Sequence, residues 1–272
     1  MAAFRESAVR PPAVAGTFYS DGPKSLAADI DRMLAAVPAP AGLAPKAIIV
    51  PHAGYIYSGP IAASAYALLA PLRGCIRRVV LLGPAHRVAL RGFALPSATA
   101  FRTPFGDVPV DRAAIDDLKR LPLAQVRDDA HADEHSLEVH LPFLQRVLGD
   151  FAVVPVVVGD AAADKVAELL DRVWGGRETL IVISSDLSHY YDYAVAKGLD
   201  AETAAAIERF DGPSLDEESA CGRIPIRGLL QVAKRRGLVC RRLDLRNSGD
   251  TAGPQDEVVG YGAWSFTAAP TS

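Results

Sequence analysis

Short, nearly continuous apolar runs alternate with amphipathic stretches along this chain. KAIIV (46–50), RRVVLLG (77–83), FAVVPVVVG (151–159) and TLIVISS (179–185) lack the polar–apolar alternation of a half-exposed strand. They read as strands buried on both faces. Helical spacing appears at Lys24 to Val37, through Leu26, Ile30, Met33, Leu34 and Val37, and this stretch runs into the linker PAPAGLAP (38–45). Further helices are predicted at Gly59 to Leu69, Asp111 to Arg120 and Ala161 to Trp174. Ser136 to Leu148 repeats leucine at 137, 141, 144 and 148, the stripe of a helix facing a core, with Pro142 expected to kink its first turns. A β-rich excursion fills 92–110, from GFALP to VPV. The last third carries an alanine-rich helix (Ala194 to Phe210), a helix opening near Cys221, and closing strands at 239–246 and 258–268. Strand, helix, strand units with no dividing linker predict one α/β domain whose mostly parallel sheet lies between helices.

Three of the predicted strands end in chemically active residues. AIIVPHAGY places His52 after a strand, VVLLGPAHR places His86, and TLIVISSDLSH places Asp186 and His189. In open α/β sheets, reactive groups gather beyond the carboxyl ends of the strands, where the loops converge. Three such ends in one chain point to a metal or acid–base centre. Pro51 and Gly54 around His52, and Gly83 and Pro84 before His86, predict sharp turns that aim the rings into the crevice. The bland alternative is a turn histidine bonded to backbone. Asp186 and His189, three apart, are close enough for the carboxylate to orient the imidazole; the competing role is an Asp capping the next helix.

Composition narrows the function classes. A chain of 272 residues, 50% of them apolar, can bury a large core, and its formal charge of -3 is spread without a basic block, which argues against nucleic acid and anionic membranes. The opening MAAFRESAVRPP has no apolar core of signal-peptide length and the longest apolar run is too short to span a bilayer, so a cytoplasmic protein is expected. Cys75, Cys221 and Cys240 are too scattered for a disulfide framework or a paired-cysteine zinc site. Cys221 stands apart: at a helix start its thiolate would be stabilised, making it a candidate ligand or nucleophile. Cys75 and Cys240 read as structural.

The segment HADEHSLEVH holds His131, Glu134, His135, Glu138 and His140. His131, Glu134 and His135 fit the letters of an inverted zinc-protease motif, but no downstream glutamate ligand follows, and the match is rejected. On a straight helix His135 and His140 would point about 140° apart. His135 is therefore expected to face the crevice, Glu138 or His140 to be structural, and His131 to lie on an exposed turn.

Taken in order, AGTFYS (15–20), PHAGYIYSG (51–59), LGPAHR, FRTPFG (101–106), DEHSLEVHLPFL, SSDLSHY and CGRIPI resemble the successive motifs of the Memo family. The resemblance implies the three-layer α/β/α fold of the LigB-like class III extradiol dioxygenases, in one domain spanning 1–272. It also implies a metal site at His52, His86 and Cys221, with Asp186 and His189 nearby; iron(II) or copper is the expected ion, with zinc as the alternative a thiolate donor allows. Among bacterial and archaeal relatives the chain resembles protein B of the AmmeMemoRadiSam system, which implies AMMECR-type and radical-SAM partners. Ring-opening dioxygenases hold iron with two histidines and a carboxylate. Here a thiolate would replace the carboxylate, and Ile224 stands where some relatives have histidine.

Three functions follow as expectations. The first is a metal-dependent redox enzyme or oxygenase acting on a small molecule, with His189 as acid–base, Asp186 orienting it and His135 lining the pocket. The second is a cysteine-nucleophile hydrolase built on Cys221. The third is a binding module recognising a peptide or partner enzyme. Tyr55, Tyr57 and Tyr190 are the candidate contact residues.

Overall fold

The four apolar runs lie side by side at the centre of one sheet. This is seen in a computed structural model that describes residues 9–38 and 44–269; most of the 38–45 linker and the first eight residues lie outside the described residues. In chain order the elements are β1 (Val9–Arg10), α1 (Pro23–Ala35), β2 (Ala47–Val50), α2 (Tyr55–Tyr66) and β3 (Arg78–Pro84). There follow β4 (Phe93–Leu95), β5 (Ala100–Thr103), β6 (Gly106–Pro109), α3 (Arg112–Leu118), β7 (Ala124–Val126) and α4 (Asp128–Ala132). The chain continues through α5 (His140–Leu148), β8 (Ala152–Val158), α6 (Ala163–Val173), β9 (Thr179–Ser184) and β10 (His189–Tyr191). It closes with α7 (Tyr193–Glu208), α8 (Arg223–Arg235), β11 (Leu238–Asn247) and β12 (Val258–Ala268).

The main sheet runs β10-β12-β2-β9-β3-β8-β4-β7, with β11 also on β12, while β1, β5 and β6 form a small separate sheet. Its centre, β2-β9-β3-β8, is parallel, and antiparallel pairing begins at β12 on one side and β4 on the other. Helices pack on both faces: α1, α2 and α5 contact one another, and α6 packs on α8, which lies over β3 and β9. Covered on both sides, these strands have no use for alternation; all of β2 and β9, and all but the first residue of β3 and β8, are buried. The result is the expected three-layer α/β/α arrangement around a mostly parallel sheet.

Parallel neighbours finish at the same edge. The carboxyl ends of β2, β9 and β3 are therefore adjacent, and the loops carrying His52, Asp186 with His189, and His86 emerge next to one another.

The leucine stripe departs from expectation at its start. α5 begins at His140 rather than Ser136, because polar bonds hold the preceding residues out of the helix: Ser136 N donates to Glu134 Oε1 (2.8 Å) and Ser136 Oγ to the Pro84 carbonyl (2.9 Å). Pro142 then falls in the first turn, where an N–H has no helical partner to lose, and introduces no break.

The same stretch is tied to the chain's beginning by a buried charge pair. Glu138, fully buried, accepts from Arg10 Nη1, from Tyr19 Oη (2.6 Å), and from the backbone N–H groups of Ala13 (2.7 Å) and Val14 (3.0 Å). Arg10 donates in addition to the carbonyls of His131 (2.9 Å) and Glu134 (2.7 Å). Removing one partner strands the other charge in the interior. Arg10→Ala is thus expected to lower the unfolding free energy by about 3–5 kcal/mol in a urea titration, and a loss below about 1 kcal/mol would show that the pair is not holding this segment.

Candidate metal centre

His52 follows β2 by two residues and is almost wholly buried. Its Nδ1 lies 2.6 Å from Ser184 Oγ at the end of β9, and its backbone N–H donates to Asp186 Oδ1 (2.7 Å). His86 follows β3, and one carboxylate addresses its backbone and one ring nitrogen: Nδ1 lies 2.9 Å from Glu134 Oε1 and the backbone N–H donates to Oε2 (2.6 Å). Since an ionised carboxylate only accepts, His86 carries a proton on Nδ1, and Nε2 is the ring nitrogen left out of that bond. Burial works against the Glu134 charge, but the bonds from His86 and Ser136 hold its pKa at about 2.

His135 is the third ring. It stacks on His86 with centroids 4.7 Å apart and meets His52 edge-on at 5.4 Å. One ring nitrogen from each of His52, His86 and His135 lies within 4.8 Å of the others, a spacing that could hold a metal ion. Burial lowers the His52 pKa well below the ordinary value and brings His135 to about 4. Both are therefore neutral at physiological pH, the state in which imidazole binds a metal.

Cys221 and Asp186 approach His52 from the neighbouring loops, but neither joins the mutually close set: His135 stands where the sequence reading placed Cys221 as third ligand. Cys221 Sγ lies 3.4 Å from His52 Nε2 and accepts from Asp186 N (3.3 Å). Gly222 allows this approach, since a β-carbon there would sit 2.5 Å from the Ser184 carbonyl oxygen. α8 starts at Arg223, as the sequence suggested, but the thiolate is not favoured in the metal-free protein: burial and the Asp186 charge push the thiol up. Burial likewise pushes the Asp186 carboxyl up to about 7, against the backbone bonds that hold its charge.

Asp186 does not orient His189. Its bonds go to His52, while His189 Nδ1 donates to the Leu187 carbonyl (2.7 Å), two residues back, leaving Nε2 bare. Burial lowers the His189 pKa, so it too stands neutral. Tyr190 beside it adopts a left-handed φ of 62°, costly for a bulky side chain, and is 72% exposed.

Of these groups, His135, Asp186 and His189 line a cleft of about 420 Å³, together with Phe18, Tyr57, Tyr190, Glu257 and Tyr261 among others, while His52, His86 and Cys221 lie behind its lining. Tyr57 and Tyr190 line this cleft, and Tyr55 does not. Tyr55 is buried, donates its hydroxyl to the Val139 carbonyl (2.7 Å) and packs on Phe143, because helical spacing turns it inward from its neighbours Ile56 and Tyr57. His131 is also displaced from expectation: it is 1% exposed, its Nε2 lies 3.0 Å from the Ala94 carbonyl, and it meets Phe101 edge-on. The rejected protease motif fails geometrically, since His135 joins the cluster and His131 does not. Ile224 packs against the core, Cys75 is exposed and Cys240 sits within β11.

Sequence reasoning placed His135 in the pocket but not among the clustered rings, because a helical reading of 131–140 forces a choice between faces that turns do not impose. Glu134 figured only as a letter of the rejected protease motif, and Ser184 not at all. The signal for Glu134 was an acid directly before a histidine near a strand-end motif; Ser184, in an apolar strand, gave none.

The profile of Memo-like proteins matches residues 10–265, and so spans all the motif segments and the whole cluster. A "MEMO1 family protein" of Aquifex aeolicus is 37% identical over 267 residues, covering 93% of this chain and 97% of the relative. The chain belongs to the Memo-like family. A "MEMO1 family protein" of Ignicoccus hospitalis is 36% identical over 284 residues (95% and 98% covered), and one of Sulfolobus acidocaldarius 33% over 277 residues (93% and 97%).

The raised thiol of this Memo-like protein has a direct consequence. At pH 7.5 without metal, iodoacetamide is expected to label exposed Cys75 well before Cys221, with Cys221 labelling accelerating only as the pH is raised further. Peptide mass spectrometry reads the order; Cys221 reacting first would contradict the burial argument and favour a nucleophilic cysteine.

Proposed function

We propose that this Memo-like protein is a metal-dependent redox enzyme or oxygenase acting on a small molecule, with iron(II) or copper held by His52 and His86 and by donors from Cys221 and His135. The observation that carries this reading is the cluster itself: three imidazoles converge at the carboxyl ends of adjacent strands, and two have their outer nitrogens engaged. The donor set fits an ion. His135 Nδ1 makes no hydrogen bond, although Glu134 Oε1 lies 3.4 Å from it, and the 3.4 Å between His52 Nε2 and Cys221 Sγ is close to the roughly 3.5 Å that separates two donors on one tetrahedral centre. Mixed nitrogen and thiolate donors suit zinc, copper(I) or a thiolate-tuned iron. A redox-active ion here would supply Lewis acidity and electron transfer toward a small ligand.

The chain's own groups supply the rest. His189, neutral and with its Nδ1–H directed to Leu187, is suited to take a proton at Nε2 from a substrate hydroxyl in the cleft. Asp186, buried and near neutrality in pKa, holds His52 in place and could exchange a proton close to the centre. Phe18, Tyr57 and Tyr261 offer flat apolar walls, and no Lys or Arg is among the cleft residues, which favours an uncharged planar substrate over an anion. The relation in fold and chemistry to class III extradiol dioxygenases belongs to this proposal, as does a cytoplasmic setting; among the described residues no helix is long and apolar enough to cross a membrane.

The hydrolase reading has its Cys221–His52 pair but lacks the rest. The backbone N–H groups of Cys221 and Gly222 are occupied by the Asp186 carbonyl (3.3 Å) and Ser185 Oγ (2.9 Å), so they cannot form an oxyanion hole. A partner-recognition role finds support in Ile56 and Tyr190, 67% and 72% exposed at the lip of the cleft, where an AMMECR-type or radical-SAM partner could dock.

Elemental analysis after anaerobic purification tests the main reading. His52→Ala and His86→Ala should each abolish stoichiometric iron or copper in a folded chain, whereas His189→Ala should retain the metal and depress oxygen-dependent turnover of small phenols by about 10²–10⁴-fold. Iron(II)-loaded protein should bind nitric oxide with a paramagnetic signal. Metal retained by both ligand variants, or no nitric oxide adduct, would contradict the proposal.

A further inference from the structure

Below the cluster, the end of β9 carries a hydroxyl with three partners. Ser184 Oγ lies 2.6 Å from the Ser136 carbonyl oxygen, 2.6 Å from His52 Nδ1 and 2.8 Å from His140 Nε2. A carbonyl can only accept, so the single hydroxyl hydrogen goes to Ser136. The lone pairs of Ser184 then face two ring nitrogens, and each of those must carry a hydrogen, since two lone pairs at such distances repel. An imidazolium buried with no carboxylate in its hydrogen bonds is strongly disfavoured, and burial brings His140 to about 3, so His140 holds one proton only. That proton is on Nε2, which leaves Nδ1 as an acceptor for the Tyr66 hydroxyl 2.7 Å away. Tyr66 and Ser184 are fully buried and His52 and His140 are 1% exposed, so bulk water cannot reverse the direction of any bond.

We infer that Tyr66, His140 and Ser184 form a positioning chain that fixes His52 as its Nδ1–H tautomer and thereby presents the Nε2 lone pair to the metal centre. This rests on the metal reading above. The effect is not trivial: free neutral imidazole side chains favour the opposite tautomer, and an Nε2–H would instead donate to Cys221 Sγ, 3.4 Å away, and offer an incoming ion no electron pair. Ser184 acts through His52 and touches neither ion nor substrate.

Nitrogen-15 NMR of metal-free protein with labelled histidine reads each ring directly. His52 is expected with a protonated Nδ1 and bare Nε2, and His140 with the reverse. Ser184→Ala should move His52 toward the Nε2–H form and weaken zinc(II) binding about 10–100-fold, and Ser184→Thr, which restores the hydroxyl, should recover both. Should Ser184→Ala fail to fold, Tyr66→Phe keeps the test open, since it removes one oxygen at the far end and should disturb the His140 tautomer signals. Wild-type His52 protonated on Nε2, unaltered His140 signals in Tyr66→Phe, or a folded Ser184→Ala protein binding zinc(II) within about twofold of wild type would overturn the inference. Expected tautomers in a wild-type protein that takes up no metal would instead sink the metal reading and leave the tautomer assignment standing.

Discussion

The buried pairing of Arg10 with Glu138 is the constraint on which the site's geometry rests. Residues 133–139 form no regular element, yet they deliver Glu134 and His135 to the mouth of the sheet. An irregular segment in an interior must have every polar group answered individually. Glu138 answers the turn at Ala13 and Val14, and Arg10 answers the carbonyls of His131 and Glu134. A buried ion pair of this kind is weak evidence for stability, because desolvation offsets most of its attraction. Its value here is positional: the same bonds that satisfy the charges determine where Glu134 stands, and Glu134 determines which nitrogen His86 presents.

From that constraint follows a centre of neutral rings in a dry setting. Burial removes protons from His52, His135 and His189 and keeps one on Cys221, so the metal-free site is uncharged at these groups apart from the carboxylates beneath them. Glu134 stays ionised because it collects hydrogen bonds from His86 and Ser136, while Asp186, with fewer, sits near pH 7. Two carboxylates a short way apart therefore differ in role through environment alone: one is a fixed anchor for a ring, the other is able to change charge when the site does.

Much of this was legible in the sequence, and what was not has identifiable causes. Uninterrupted apolar runs are a strong signal for strands covered on both faces, so β2, β3, β8 and β9 and the convergence of His52, His86 and Asp186 followed from pattern alone. His131 was misplaced because a histidine among aspartates reads as solvated; the Arg10 bond to its carbonyl and its packing on Phe101 come from segments distant in the chain. Tyr55 and Tyr57, two apart on a helix, are indistinguishable as motif letters, and only the docking of α2 decides which one turns inward. His135 was assigned to the crevice but not to the clustered rings, since a leucine stripe suggests a helix whose first turn is in fact unravelled by Glu134 and Pro84.

The central claim is that backbone topology and buried polar bonds prepare imidazole and thiolate donors for a single ion. X-ray absorption on protein loaded with one equivalent of iron(II) or copper(I) tests it most directly. The account predicts the multiple-scattering pattern of at least two imidazoles together with one sulfur at about 2.3 Å. A coordination sphere of light atoms without imidazole scattering would contradict it.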